Sequence, residues 1–377
     1  MVFSRNLTDE FQRVEAEMKN RFVVIMAGGK GERFWPQSRL KRPKHLLPIV
    51  GDSAMLVQTI ERLDGLIPAD KVFVITNSEQ RNSILKTCSN LIPERVIGEP
   101  IGRDTAAAVG LAALLVENEG DDASFALLPA DHVIEQKDQF QSTLVTAFEA
   151  AEAENILVTV GIKPTYPSTG YGYLEQGNSL IEYNGRTIFK VNRFVEKPNL
   201  EKAEEYLDSG IYFWNAGMFV WRPSVILSEI GRWVPDLSKE LNSLRESWVK
   251  SGNLEQAMST YYPKMKKTSI DFAVMEKAER VAMVESSFDW DDVGEWPAIA
   301  RHYPSDKEGN VFKGAGLGID SKNNLTFADE GHCVSLMGVK DLIVVQSMDA
   351  TLVCHKDYAQ KVKVMAQEIA KKHPELS

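Results

Sequence analysis

Phe22-Val-Val-Ile-Met-Ala-Gly-Gly-Lys-Gly-Glu-Arg33 is the stretch on which the reading of this chain turns. Six consecutive apolar residues, rich in β-branched and aromatic types, predict a short buried strand. The glycines that follow mark a turn at its C-terminal end. Runs of the same kind recur at 72–76, 125–128 and 156–160, and helical patterns lie between them at 54–63, 105–117 and 139–153. Short apolar strands alternating with helices predict an α/β fold, its mostly parallel sheet covered on both faces.

The turn itself carries chemistry. Gly28, Gly29 and Gly31 let backbone N–H groups approach an anion, and the stretch is expected to open a helix whose N-terminus favours negative charge. It is not a Walker A loop, because Gly31 follows Lys30 where Ser or Thr is required. Nor is it the dinucleotide fingerprint, whose third glycine falls at Phe34. Directly after it, Arg33, Arg39, Lys41, Arg42 and Lys44 crowd around two prolines. In a chain of 377 residues with net charge −10, this is a local positive pocket suited to a triphosphate.

The rest of the composition excludes other classes. The acidic balance argues against bulk nucleic-acid binding, whose footprint is basic. Cys88, Cys333 and Cys354 are too few and too far apart for a disulfide scaffold or a cysteine-rich zinc site, so a reducing compartment is expected. The longest apolar run, 106–116, is too short to span a bilayer, and the N-terminus shows no signal peptide. A soluble cytoplasmic protein without a membrane partner follows as the expectation.

Residues 1–20 have the spacing of an amphipathic leading helix. After 161 come two hairpin-like strands, 171–175 and 187–195, then a charged helix at 200–209 and helices over 223–278. From about 309 the segments shorten and are punctuated by Gly, Asn and Asp, which predicts a small β domain closed by a helix at 358–372. Barrel, sandwich and β-helix fit that pattern equally. The expected division is an extension (1–20), a catalytic domain (21–304) and a C-terminal β domain (305–377).

Ala-Gly-Gly-x-Gly-x-Arg-x-Trp-Pro-x-Ser, followed by Pro43-Lys44, resembles the signature of sugar-1-phosphate nucleotidyltransferases. Its Phe/Trp form looks like the mannose-1-phosphate guanylyltransferase (GDP-mannose pyrophosphorylase) family. The likeness continues, in order, through Glu99-Pro100, Leu-Pro-Ala-Asp131-His132, Thr169-Gly-Tyr-Gly-Tyr173, Phe194-Val-Glu-Lys-Pro198, Trp214-Asn-Ala-Gly-Met218, Ser269-Ile-Asp-Phe272 and Trp290-Asp-Asp-Val-Gly-Glu-Trp296. The resemblance implies a Rossmann-like catalytic domain with a C-terminal left-handed β-helix. It implies transfer of GMP from GTP to mannose 1-phosphate, with Mg²⁺ as cofactor. Another sugar 1-phosphate, such as heptose or glucose, and a silent sensing subunit on the same fold are the alternatives. Longer relatives append a cupin isomerase domain, and isomerase activity is not expected here.

The same resemblance assigns roles. Arg33 and Lys44 would grip the reacting phosphates, with Gly28, Gly29 and Gly31 as the cradle. Asp131, at the end of a strand, and Asp292 would hold the metal. The residue types alone leave Asp289, Asp291 and Asp292 open, and the motif selects Asp292. Glu196, Lys197 and Asn215, with Gly172 and Gly217 allowing close approach, would bind the sugar phosphate, and Lys197 would also assist the chemistry. Arg103, Asp104 and Thr105 are expected around the nucleotide. Guanine presents two adjacent donors that one carboxylate can accept, and Glu99 or Asp104 is the candidate. A second copy of the chain is the expected partner of the C-terminal domain.

Overall fold

The computed structural model describes residues 20–183 and 185–377, so the leading helix expected over 1–20 lies almost wholly outside the described residues. The decisive run forms β1 (Arg21–Ala27), followed by β2 (Val72–Asn77), β3 (Val96–Glu99), β4 (Ser124–Pro129) and β5 (Leu157–Ile162). Then come β6 (Gly172–Tyr183), β7 (Arg186–Glu196), β8 (Tyr212–Trp221) and β9 (Val281–Glu285). All nine join one sheet in the order β3-β2-β1-β4-β8-β5-β9-β7-β6. Its first four strands are mutually parallel, as the alternating pattern predicts. β8 then enters antiparallel between β4 and β5, and β6 and β7 pair as a long antiparallel ribbon.

Alternate residues of β1 feed different layers. Val23 and Ile25 join a core with Phe140, Leu144 and Phe148 of the helix Lys137–Glu154. Phe22 and Val24 join a second core around the helix Asp104–Glu117, in which every residue from Ala106 to Val116 is buried. Burial on both faces is why β1 lacks polar alternation. Gly110 in that helix is needed for packing, because a Cβ there would stand 2.4 Å from Leu241 Cδ1.

The C-terminal segment is a small parallel solenoid. β10 (Val311–Lys313), β12 (Leu325–Phe327) and β14 (Leu342–Gln346) pair in parallel on one side, and β11 (Ala315–Ile319) pairs in parallel with β13 (Cys333–Met337) on the other. That is a β-helix-like coil, capped by the antiparallel β15 (Thr351–His355). Buried asparagines tie successive turns together. Asn324 Nδ2 donates to Asn310 Oδ1 at 2.8 Å, and Leu342 N donates to Asn324 Oδ1 at 2.9 Å. The closing helix begins later than the pattern predicts, at Val362–Lys372, after a 3₁₀ stretch at Lys356–Lys361.

A third core fuses the solenoid to the glycine-rich end of the sheet. Phe34, Trp35, Leu47 and Trp296 pack with Leu325, Phe327, Ile343 and Val362. Trp296 stands between the two sides, 5.1 Å from the Phe34 ring and 5.3 Å from that of Phe327.

Candidate active site

The C-terminal ends of β1, β3 and β4 open into a cleft of about 1030 Å³. This is where parallel sheets bind ligands, because the loops leaving neighbouring strands diverge there. Gly28, Gly29, Gly31, Arg33, Lys44, Glu99, Asp104, Thr105, Asp131 and Asp292 all face it. Gly31 has no substitute: its φ is +65°, and a Cβ would lie 2.6 Å from Lys44 Cβ. One expectation needs correction. The loop does not open an α-helix, only a single 3₁₀ turn at Glu32–Phe34, since Pro36 lacks the amide a longer helix would use. The loop can therefore offer an anion its amides and nearby cations, but no α-helix terminus.

Lys44 is the pivot. It is only 5% exposed, with its ammonium enclosed by oxygens of both aspartate segments. Nζ donates to Asp131 Oδ2 at 2.7 Å, to the Asp131 carbonyl at 3.1 Å and to the Asp292 carbonyl at 2.8 Å. Burial opposes ionisation of Asp131, but the Lys44 ammonium beside it outweighs that cost and holds the carboxyl below its usual range. His132 is held neutral, its pKa pushed down by burial to about 4. Its Nδ1 accepts the Trp290 indole N–H at 3.1 Å, so it orients the loop.

The three neighbouring aspartates separate cleanly. Asp289 accepts the amides of Glu135 and Gln136, both at 2.9 Å, ahead of the helix Lys137–Glu154. Asp291 is clamped by Arg301 at 2.6 and 2.7 Å and by His302 at 2.9 Å. Asp292 alone of the three lines the cleft, where Oδ1 accepts the Tyr171 hydroxyl at 2.6 Å. Among the described residues, no hydrogen bond is donated to Asp131 Oδ1 or Asp292 Oδ2. Two carboxylates offering oxygen ligands beside a polyanion pocket suit a hard divalent cation such as Mg²⁺.

Glu99 ends β3 with 6% exposure. Burial pushes its carboxyl up to about 7, against the opposing hydrogen bond donated by the Tyr262 hydroxyl to Oε1. Oε2 stands beside Gly28, 3.3 Å from where a Cβ would be. Asp104 is exposed and left-handed (φ 66°), and its Oδ1 accepts the Thr105 amide at 2.8 Å. Thr105 Oγ1 accepts the Ile270 amide at 2.8 Å. Arg103 departs from expectation: its guanidinium turns from the cleft to donate to the Pro263 carbonyl. Lys267, a cation that the sequence did not single out, lines the cleft.

The residues expected around the sugar also converge. Gly172 pairs with Glu196 across β6 and β7, and a Cβ on Gly172 would fall 2.6 Å from Glu196 Oε2. Lys197, left-handed at φ 48° and exposed, rests its Nζ 2.8 Å from Glu196 Oε1. Asn215 accepts from Thr159 Oγ1 at 2.9 Å and from the amide of Gly217, whose φ is +65°, at 3.2 Å. Its Nδ2 donates to Asp271 at 3.3 Å. Asp271 lies on a π-helix (Asp271–Met275), and burial, reinforced by Glu196, raises its carboxyl to about 7. It stands in the motif Ser269-Ile-Asp-Phe272, whose residue types alone name no role for it. Tyr171 joins the two halves, donating from its hydroxyl to Asp292 and accepting the Lys197 amide at 3.2 Å through its carbonyl.

In class this is an α/β fold with a polar cleft, lined by a glycine-rich loop, lysines and aspartates, at the C-terminal ends of its parallel strands. Residues 22–308 match the nucleotidyl transferase family model, and residues 314–369 match that of the MannoseP isomerase/GMP-like β-helix domain. The chain belongs to the nucleotidyl transferase family, in its mannose-1-phosphate guanylyltransferase branch. It is 39% identical to a Klebsiella pneumoniae mannose-1-phosphate guanylyltransferase, over 90% of this chain and 72% of that one. With the alginate biosynthesis protein AlgA of Pseudomonas aeruginosa it shares 37% identity, over 92% of this chain and 71% of that one. A solved structure from Thermus thermophilus, described as a mannose-1-phosphate geranyltransferase, superposes with a TM-score of 0.81 at 34% identity, covering 93% of this chain and 99% of that one. Among the described residues, no helix is long and apolar enough to cross a membrane.

Proposed function

We propose that this protein transfers GMP from GTP to mannose 1-phosphate, releasing pyrophosphate, with Mg²⁺ held by Asp131 and Asp292. The observation that carries the reading is Lys44. It draws both aspartate segments together at the mouth of a cleft with the glycine cradle on one side, while Tyr171 links Asp292 to the Glu196–Lys197 cluster on the other.

The chemistry asks little of a base. A sugar phosphate has a second pKa near ~6, so at neutral pH it is largely a dianion and a ready nucleophile. The difficulty is to align two anions and neutralise the charge on the departing pyrophosphate. When bound, the ion supplies charge neutralisation to the phosphoryl oxygens. Lys44 keeps Asp131 ionised as an oxygen ligand. Arg33 offers a planar fork to two phosphate oxygens, and the amides of Gly28, Gly29 and Gly31 hold the others. Lys197 turns from Glu196 to the sugar phosphate, which frees the Glu196 carboxylate to accept from vicinal hydroxyls beside Asn215. The bond from the sugar phosphate oxygen to the α-phosphorus forms as the bond to pyrophosphate breaks. Glu99, beside Gly28, accepts the two adjacent donors of guanine.

Exposed Leu317, Ile319 and Met337 share one face of the β11–β13 pair, which supports a homodimer formed through the C-terminal coils. The division at 305 and a cytoplasmic location, where nucleotide and sugar-phosphate pools reside, belong to the same proposal. The test crosses GTP, ATP, UTP and dTTP with mannose, glucose and heptose 1-phosphates, scored by pyrophosphate release. GTP with mannose 1-phosphate should give the highest kcat/KM, and a faster pairing would replace the substrate assignment.

A further inference from the structure

The helix Val362–Lys372 belongs to the far end of the chain, yet it lies against the 3₁₀ turn that carries Arg33. Its position is fixed from several sides. Val362 and Ala359 are buried in the core shared with Phe34 and Trp35. The Trp35 indole donates to the Leu376 carbonyl at 3.2 Å, and Arg39 pairs with Asp349 at 2.7 Å. Held there, Lys363 faces the same cleft as Gly28, Gly31, Arg33 and Lys44. Its ammonium stands 3.7 Å from Glu32 Oε2, and Gln367 Nε2 approaches the same oxygen at 3.3 Å.

We propose that Lys363 is a phosphate-binding residue of the catalytic cleft, so that the C-terminal domain supplies one cation of the triphosphate cradle. The inference rests on reading the cleft as the nucleotide site. Its physical basis is the weakness of the resting pair. Lys363 is about half exposed and its partner is at the outer limit of an ion pair, so little holds it to Glu32. A triphosphate presents far more negative charge than one carboxylate, and a lysine on a flexible four-carbon stem can turn to meet it. Glu32 lines the cleft as well, and Gln367 remains to donate to its carboxylate when Lys363 leaves it.

The experiment uses the full-length protein with Lys363→Ala, Lys363→Arg, Glu32→Gln and the Lys363→Ala/Glu32→Gln double variant. Lys371→Ala, an exposed lysine of the same helix paired with Glu368, is the control. Binding of inorganic tripolyphosphate is measured by calorimetry, alongside KM for each substrate and thermal melting. Lys363→Ala should weaken tripolyphosphate binding and raise the KM for GTP by roughly tenfold, the scale of one charge-assisted hydrogen bond. The KM for the sugar phosphate and the melting temperature should stay unchanged, Lys363→Arg should recover most of the loss, and Lys371→Ala should behave as wild type. Unaltered tripolyphosphate affinity in Lys363→Ala overturns the proposal. So does full restoration by Glu32→Gln, which would make Lys363 a mere counterion. Arg33→Ala separates the two levels. If it weakens binding and Lys363→Ala does not, this inference alone fails; if neither matters, the cradle reading fails with it.

Discussion

Replacing Glu99 by Gln should make the free protein more stable and the enzyme worse. The carboxyl, ordinarily at 4.5, is pushed by burial to about 7. A folded pKa above the unfolded one means that the stability linked to the neutral form is complete below pH 4.5 and lost as the pH climbs through 7. Each pH unit between those values costs about 1.4 kcal/mol, so wild type forfeits about 3 kcal/mol by pH 8. Gln does not titrate, and its side-chain oxygen can still accept the Tyr262 hydroxyl. In urea unfolding, the stability difference between Glu99→Gln and wild type should therefore grow by about 3 kcal/mol between pH 4.5 and pH 8. Asp271, also raised to about 7, titrates in both proteins and cancels from the difference. Catalysis should move the opposite way. Losing one acceptor of a bidentate pair is worth about 1–3 kcal/mol, which lowers kcat/KM for GTP roughly ten- to hundredfold and narrows the GTP-to-ATP ratio. A stability difference independent of pH would refute the burial argument. An unchanged nucleotide ratio, with collapse in Asp104→Asn instead, would move base recognition to Asp104.

Asp292→Asn should cut kcat severely in a folded protein, whereas Asp291→Asn should cost roughly 2–3 kcal/mol of stability, because it weakens a buried, hydrogen-bonded ion pair; Mg²⁺ titration and thermal melting distinguish the two. Asp291 is held well below the carboxylate range by His302 and Arg301, against the cost of burial, so its contribution should be present above its ordinary pKa and disappear as the pH falls. Lys197→Ala should raise the KM for the sugar phosphate far more than that for GTP, and any fall in kcat would mark a part in the chemical step. Truncation near Asn310 should lower the melting temperature by exposing Phe34, Trp35 and Trp296, and lower the oligomer mass in light scattering; an unaltered mass would remove the dimer assignment.

Much of this site was legible because its residues sit where local rules speak. A strand ending in glycines, an aspartate ending another strand and a Gly-Tyr-Gly segment point to a ligand-facing edge from sequence alone. What the chain hides is direction and distance. Arg103 is expected around the nucleotide from the resemblance, but its guanidinium donates to the Pro263 carbonyl. Lys267 and Lys363 look like ordinary solvated lysines until packing brings their elements to the cleft. Asp271 gains its raised pKa from burial near Glu196, a residue distant in sequence. Residue types alone leave Asp289, Asp291 and Asp292 open; the family motif selects Asp292, and the partners that separate the three come from other elements. The insertion of β8 between β4 and β5 is a nonlocal pairing that apolar patterning does not encode.

The central claim is tested most directly by following GTP and mannose 1-phosphate with the purified protein and Mg²⁺ by phosphorus NMR. The account predicts that both substrates disappear together while a sugar-nucleotide diphosphate and inorganic pyrophosphate appear in equal amounts, and that Asp292→Asn slows this conversion. Release of orthophosphate, or consumption of GTP without loss of mannose 1-phosphate, would contradict it.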